Sequence, residues 1–448
     1  MKQANNRILI LGAGMVVQPI VDYLLDQQLF VTLASRTVSK AEKALRNHPN
    51  GQAVSWTVDD VPALEKMISE HDLIVSLLPY THHVTVARLC IDHKKNMLTT
   101  SYISDEMKAL HQEAIDAGII ILNEIGVDPG FDHMTAMQII DRIHEEGGEI
   151  EDFYSLCGAL AAPEALDNPL NYKFSWSPKG VVMAGNNDAR YLKDGQEAYK
   201  PTEDLFKDPL QIPFPEVGDM EVYPNRDSLS YKDLYGIQEA QTIYRGTFRY
   251  KNWCEAMDVF KAMGLTGYDS FDLSGMSYRA FVAQIAQLEE EQLEDQISEK
   301  YSIGKDSPAL EALNFLGLLS YDPVHLDKGS PFDILSDLMI QRMMLRDKER
   351  DMVIMQHMFR IVDRDGKRKE ITSRLLDLGD ENYTSIAKTV AYPAAIGVKM
   401  ILEGKINVKG VHLPISKDIY EPILEELAKL GIEMHEEEKE ITAGELNT

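Results

Sequence analysis

From Arg7 to Leu122 the sequence alternates between short apolar runs and helical stretches, and this alternation constrains the fold more than any other feature. Strands are expected at Arg7–Leu11 (RILIL), Phe30–Ala34, Ala53–Thr57, Asp72–Leu77, Asn96–Thr100 and Ile119–Leu122. Helical apolar spacing fills the gaps at Val16–Leu25, from Ser39 to Leu45, over 82–93 and over Ser104–Ala117. Strands separated by helices of this length make βαβ units on a parallel sheet.

The first strand runs directly into Gly12-Ala13-Gly14-Met15-Val16-Val17, and a helix follows. A glycine at position 12 permits the tight strand-to-helix turn. Gly14 removes a side chain where a pyrophosphate would approach the helix N-terminus. The third glycine of the usual fingerprint is Val17 here. In a full run of βαβ units this motif reads as a Rossmann-type dinucleotide-binding domain; the plain alternative is a tight turn in an unrelated α/β domain. The end of the second strand discriminates between cofactors. An acidic residue there would bind the ribose 2′-hydroxyl of NAD, whereas this chain has Ser35-Arg36-Thr37. Arg36 suits a 2′-phosphate, so NADP is expected over NAD. Leu77, Thr100, Ser101 and Tyr102 fall at later strand ends, where ligands of open α/β sheets bind.

After Asn123 the pattern changes. EIGVDPGFDH opens a helix over about 131–146 and is read as a hinge into a second domain. Asp128 is either a proton-exchanging carboxylate or the N-cap of that helix; Asp132 and His133 carry the same ambiguity. β-like stretches alternate with long loops over 150–250, 254–345 is helical and acidic, and 350–363 (RDMVIMQHMFRIVD) returns to strand periodicity. Arg226, Arg245 and Arg249 lie among aromatic residues. Arg245 and Arg249 share one face of a strand, which suits carboxylate clamping, although surface arginines would look the same.

The net charge of −27 argues against a nucleic-acid backbone or an anionic membrane as partner. Three scattered cysteines build neither a disulfide framework nor a zinc site. The pair His82-His83 lacks further metal-ligand spacing, so no metal is assigned. The N-terminus lacks a signal-peptide pattern and no apolar run suggests a membrane span, so a cytoplasmic protein is expected.

The blocks VSLLPYTHH, TTSYIS, NEIGVDPGFDH, DNPLNYKFSWSPKGV, VYPNRDS, IYRGTFRY, ERDMVIMQH and TVAYPAAIGVK, in this order, resemble the glutamate-forming saccharopine dehydrogenase (saccharopine reductase) family. The resemblance implies NADP-dependent oxidation of saccharopine to glutamate and 2-aminoadipate 6-semialdehyde, or the reverse condensation. It carries cofactor contacts onto Gly12, Ala13, Gly14, Met15, Val16, Ser35, Arg36, Thr37, Thr57, Val58, Leu77, Thr100, Ser101, Val127, Asp128, Pro129 and Ser175. Substrate contacts carry onto Ser101, Tyr102, Asp128, Arg226, Thr247, Phe248 and Arg249, and Asp128, Tyr102 and Cys157 become the polar or proton-exchanging groups. Two positions depart from the family pattern: Val17 replaces a smaller residue, and Thr57 stands where aspartate is common. The resemblance also implies that a helix around 383–403 returns to the N-terminal lobe.

The expected fold class is α/β: an N-terminal Rossmann parallel sheet plus an α+β substrate and dimerisation domain with a helical insertion. The expected boundaries are 1–130 for the first domain, 131–253 with 346–448 for the second, and 254–345 for the insertion. A homodimer acting on saccharopine is expected. The rival readings are a carboxynorspermidine dehydrogenase-like reductase and a non-catalytic NADP sensor or scaffold on the same fold.

Overall fold

A computed structural model describes residues 6–441. Two compact units divide the chain. The first takes the described residues up to Gly147 together with Asp380–His435, and the second takes Gly148–Gly379 and the described residues from Glu436 to Ile441.

The first unit is built on seven parallel strands. Six come from its N-terminal part: β1 (Arg7–Leu11), β2 (Phe30–Ser35), β3 (Gly51–Ser55), β4 (Leu73–Ser76), β5 (Asn96–Thr99) and β6 (Ile120–Leu122). Their order is β3-β2-β1-β4-β5-β6, and Gly410–His412 adds a seventh strand beside β6. The chain therefore reverses direction across the sheet between β1 and β4, which opens a crevice at the carboxyl ends of these strands. Helices α1 (Val17–Asp26), α2 (Val38–Leu45), α3 (Val61–Ser69) and α4 (His83–Asp92) make the crossovers. α1 buries Ile20, Val21, Leu24 and Leu25, the one-sided spacing that predicts a helix lying on a sheet. The third strand ends two residues earlier than its apolar run suggested. Trp56 turns inward, its amide bonding the Ser35 carbonyl, and Asp60 then caps α3. Thr57 consequently sits in the turn.

Two features enlarge this unit beyond the expected boundaries. The Phe131–Glu145 helix belongs to it, and the division falls at Gly147–Gly148 rather than Gly130. This helix is tied to the Lys417–Lys429 helix, where Tyr420 donates to Asp141 at 2.6 Å. The returning segment is also longer than one helix, since it contributes the Gly410–His412 strand as well. The Ser385–Leu402 helix packs on the sheet, where a side chain at Gly397 would lie 3.0 Å from Leu98 of β5. By length and composition it could cross a membrane, although Lys388 and Lys399 interrupt its apolar run, and 72% of it is buried inside the fold.

The second unit is a mixed sheet with helices. Its strands include β7 (Glu149–Ala161), β8 (Ala189–Lys193), β9 (Gln196–Lys200), β10 (Leu210–Phe214), β11 (Gly218–Pro224) and β12 (Thr242–Arg249). β12 is central: it runs parallel to β7 and antiparallel to β11. The strands Asp351–Val362 and Arg368–Leu378 continue the sheet beyond β7. Helices over 253–343 share one hydrophobic core with these strands, Phe248, Trp253, Phe260, Phe281, Leu313 and Leu335 among its members. The acidic segment is thus a helical layer of the second unit, not a separate body.

Candidate active site

In the first unit the strand ends converge as the βαβ reading requires. Gly12 adopts φ +110°, and a Cβ there would press to 3.0 Å from the Leu77 carbonyl oxygen, so the turn needs glycine. Above Gly14 the space is open, with nothing within 4 Å of an added Cβ. The first turn of α1 has no side-chain cap, because Val16 occupies the N-cap position. Uncapped amides beneath an open glycine fit a pyrophosphate. Met15 is exposed beside them, while Val17 is buried. At the end of β2, Arg36 is exposed and makes no ion pair among the described residues; the Ser35 hydroxyl accepts from the Thr37 amide at 3.3 Å. A free guanidinium and no carboxylate at that strand end fit a 2′-phosphate. Thr57 is exposed and Val58 half-buried just past β3. The residues present therefore fit NADP.

The turn after β5 and the loop after β6 form one assembly. Glu124 and Ile125 amides bond the carbonyls of Ser101 and Thr99, and a side chain at Gly126 would meet Thr100 at 3.3 Å. Tyr102 donates its hydroxyl to Asp128 Oδ1 at 2.9 Å. Asp128 is half-buried between the buried Val127 and Pro129. It is not the cap of the following helix: Gly130 holds the N-cap position, and Asp132 accepts the Gly130 amide at 2.6 Å. Glu124 carries a function no motif announced. One of its oxygens accepts the Ile103 amide at 2.8 Å, and the other lies 2.7 Å from Nε2 of the buried His133. It thereby locks the Ser101–Ile103 turn to the Phe131–Glu145 helix.

His83 is the second residue the sequence did not single out by role. It is buried at the start of α4; its Nδ1 lies 2.9 Å from Ser76 Oγ, and its Nε2 lies 2.9 Å from Ser101 Oγ and 3.1 Å from Thr99 Oγ1. Burial, followed by the neighbouring His82, pushes its pKa down from 6.5 to about 4. The unfolded chain therefore binds more protons between these values, so stability is full above pH 6.5 and falls as the pH drops toward 4. The loss from this group is on the order of 3 kcal/mol. Buried His71 shifts in the same direction. Thermal midpoints across this pH range should fall steeply for the wild type and less steeply for His83→Gln; equal slopes would refute the assignment.

In the second unit Cys157, Thr247 and Tyr223 are direct cross-strand neighbours on β7, β12 and β11, so they share one face. Arg249 lies two residues beyond Thr247 and is only 3% exposed. Its guanidinium donates to Tyr223 Oη at 3.2 Å and to the Phe248 carbonyl at 2.8 Å. The rings of Tyr172, Trp253 and Tyr223 surround it, with centroids 5.0, 5.3 and 5.6 Å from its central carbon. No carboxylate pairs with it among the described residues. Arg249 Nε, Ser175 Oγ and Trp253 Nε1 are buried without a hydrogen-bond partner. A buried cation beside the unsatisfied Trp253 indole nitrogen marks a place suited to an anion.

The other expected contacts separate from this centre. Phe248 turns into the core against Phe214, so only its backbone is available to a ligand. Arg226 is exposed, with φ +51°, in the loop after β11. The neighbouring Asn225 amide bonds the Arg245 carbonyl, which places that loop four residues along β12 from Arg249, about 13 Å at the usual strand rise. Arg245 is occupied by Tyr231, to which it donates at 2.6 Å. Among the described residues no cluster of three or more His, Cys, Asp or Glu is placed to hold a metal. A cavity of about 470 Å³ opens elsewhere in the second unit beside Thr202, Lys207, Asp258 and Lys261, and none of the residues above lines it.

A 3-2-1-4-5-6 parallel sheet with a glycine turn and an arginine at the end of β2 defines an NADP-binding domain of the Rossmann type. Residues 8–122 match the family model for the saccharopine dehydrogenase NADP binding domain, and residues 126–432 match that for the saccharopine dehydrogenase C-terminal domain. The chain belongs to the saccharopine dehydrogenase family. It is 40% identical over 445 residues to saccharopine dehydrogenase [NADP(+), L-glutamate-forming] of Schizosaccharomyces pombe, covering 96% of this chain and 98% of that protein. It is 38% identical to bovine mitochondrial alpha-aminoadipic semialdehyde synthase, covering 96% of this chain and 47% of that longer protein. The solved structure of apo saccharopine dehydrogenase (L-Glu forming) from Saccharomyces cerevisiae superposes with a TM-score of 0.90 at 38% identity, covering 97% of this chain and all of that one.

Proposed function

We propose that the chain catalyses saccharopine + NADP⁺ + H₂O → glutamate + 2-aminoadipate 6-semialdehyde + NADPH + H⁺, and the reverse condensation. The observation that carries this reading is the near full-length likeness to proteins named for that activity. Bound NADP supplies the acceptor for the hydride leaving the carbon next to the substrate's secondary amine. The chain's own groups do the rest. The Gly12–Val16 turn and Arg36 hold the two phosphate regions of the dinucleotide. Tyr102 and Asp128, hydrogen-bonded to each other, offer a carboxylate and a hydroxyl to the substrate amine, where they orient it and exchange its proton. Water then completes hydrolysis of the imine. Arg249 pairs with one substrate carboxylate, and Arg226 supplies a second positive charge for a substrate that has three. Cys157 lies on the same sheet face as Thr247 and serves as a polar neighbour of the bound substrate. No disulfide joins Cys90, Cys157 and Cys254, which supports a reducing compartment such as the cytoplasm.

The test is NADPH formation followed by absorbance. Saccharopine should be turned over; turnover of carboxynorspermidine instead would move the chain to another branch of C–N reductases. Arg36→Ala should lower kcat/KM for NADP on the order of 30-fold, the worth of a charged hydrogen bond, and leave NAD almost unaffected. An unchanged NADP/NAD preference would remove Arg36 from the cofactor site.

A further inference from the structure

His83 contacts no position assigned to cofactor or substrate except Ser101, yet it is built into the strand ends with unusual completeness. It reaches Ser76 at the end of β4, and Thr99 and Ser101 at the end of β5, from the first residue of α4. We propose that His83 is a positioning residue: the chain Ser76–His83–Ser101 fixes the rotation of the Ser101 hydroxyl and the spacing of two strand ends beneath the reacting atoms. This rests on the reading that Ser101 faces the bound reactants.

The chemistry of the ring makes the arrangement directional. A neutral imidazole donates through one nitrogen and accepts through the other. Ser76 and Ser101 occupy opposite nitrogens, so whichever tautomer is present, one hydroxyl must donate while the other accepts. Burial favours the neutral ring. Thr99 Oγ1 shares the Nε2 side at 3.1 Å and also accepts the Ser101 amide at 3.3 Å, so it ties the backbone of the turn to the same ring. Ser101 is the half-buried end of the chain, and the next residue is Tyr102, held on Asp128. Loss of the Nε2 contact frees the hydroxyl next to the Tyr102–Asp128 pair while both strands remain in the sheet.

Two substitutions separate position from bulk. The amide of His83→Gln reaches the Nε2 position and restores a contact to Ser101; that of His83→Asn reaches only the Nδ1 position and Ser76. With saccharopine, His83→Asn should lower kcat about tenfold, raise the primary deuterium isotope effect and leave the KM for NADP within about twofold. His83→Gln should recover most of kcat even if both variants lose similar thermal stability. In a double-mutant cycle, adding His83→Asn to Ser101→Ala should cause no further loss. Parallel falls of kcat and thermal midpoint in both variants, unchanged kcat in both, or losses that multiply in the cycle would each overturn the proposal. A wild type inert toward saccharopine would instead sink the functional reading.

Discussion

Replacing Arg249 by methionine should raise the KM for saccharopine by roughly 100-fold and leave the thermal midpoint unchanged or higher. The two halves of this result have one cause. Arg249 is a cation at 3% exposure with three aromatic rings around it and no carboxylate partner among the described residues. Burying such a charge opposes folding, and the hydrogen bonds to Tyr223 and the Phe248 carbonyl offset only part of that cost. Methionine fills similar volume among aromatic rings without the charge. A residue kept against the interest of the fold is kept for a ligand, and the ligand here is a carboxylate, for which the guanidinium fork is suited. NADP binding should stay unchanged, because the 2′-phosphate site is on Arg36. Isothermal titration and thermal unfolding of the same variant check both halves. A lower midpoint with an unchanged KM would make Arg249 a packing residue.

Local periodicity made the first unit legible almost strand by strand. An apolar run between helices has only one way to bury both faces, so β1, β2, β4, β5 and β6 fall where the pattern puts them. The glycine turn and the arginine at the β2 end were readable because each demand is local: a positive φ at Gly12 and the charge of one residue. What periodicity could not carry was the contribution of distant chain. Gly410–His412 is too short to show a pattern, and it becomes a strand only because the β6 edge is open beside it. The site divides the same way. Tyr102 and Asp128 were candidates from position, but their hydrogen bond spans 26 residues and no spacing rule foresees it. The roles of Glu124, His83 and Tyr172 depend on tertiary neighbours alone. Arg245 and Phe248 show the opposite limit. Strand alternation put Arg245 on the face of Arg249, yet it is committed to Tyr231, and Phe248, which only the resemblance suggested, packs its ring in the core.

Gly130→Ala should abolish the fold of the wild type or lower its stability by more than about 4 kcal/mol, the range reserved for substitutions that force backbone to move. Gly130 has φ +145°, and a Cβ on it would stand 2.3 Å from both the amide nitrogen and the carbonyl oxygen of Gly126. No rotamer change relieves a clash between backbone atoms. The loop cannot open either, because it is closed on itself: the Gly126 amide bonds the Pro129 carbonyl, and the Phe131 and Asp132 amides bond the carbonyls of Gly126 and Val127. Gly126→Ala is the informative companion. Its Cβ would meet the Pro129 oxygen at 3.1 Å and Thr100 Cβ at 3.3 Å, contacts that yield to shifts of a few tenths of an ångström. That variant should fold, with a modestly lower midpoint. Its displaced neighbours are Thr100, two residues before Tyr102, and Pro129, next to Asp128. The 2.9 Å Tyr102–Asp128 hydrogen bond should therefore lengthen, and kcat should fall by about tenfold or more, because misplacement of an ångström near the reacting groups is costly. A soluble Gly130→Ala with a wild-type midpoint would show that the loop relaxes. A Gly126→Ala variant with lowered stability and full kcat would show that the Tyr102–Asp128 geometry does not set the rate.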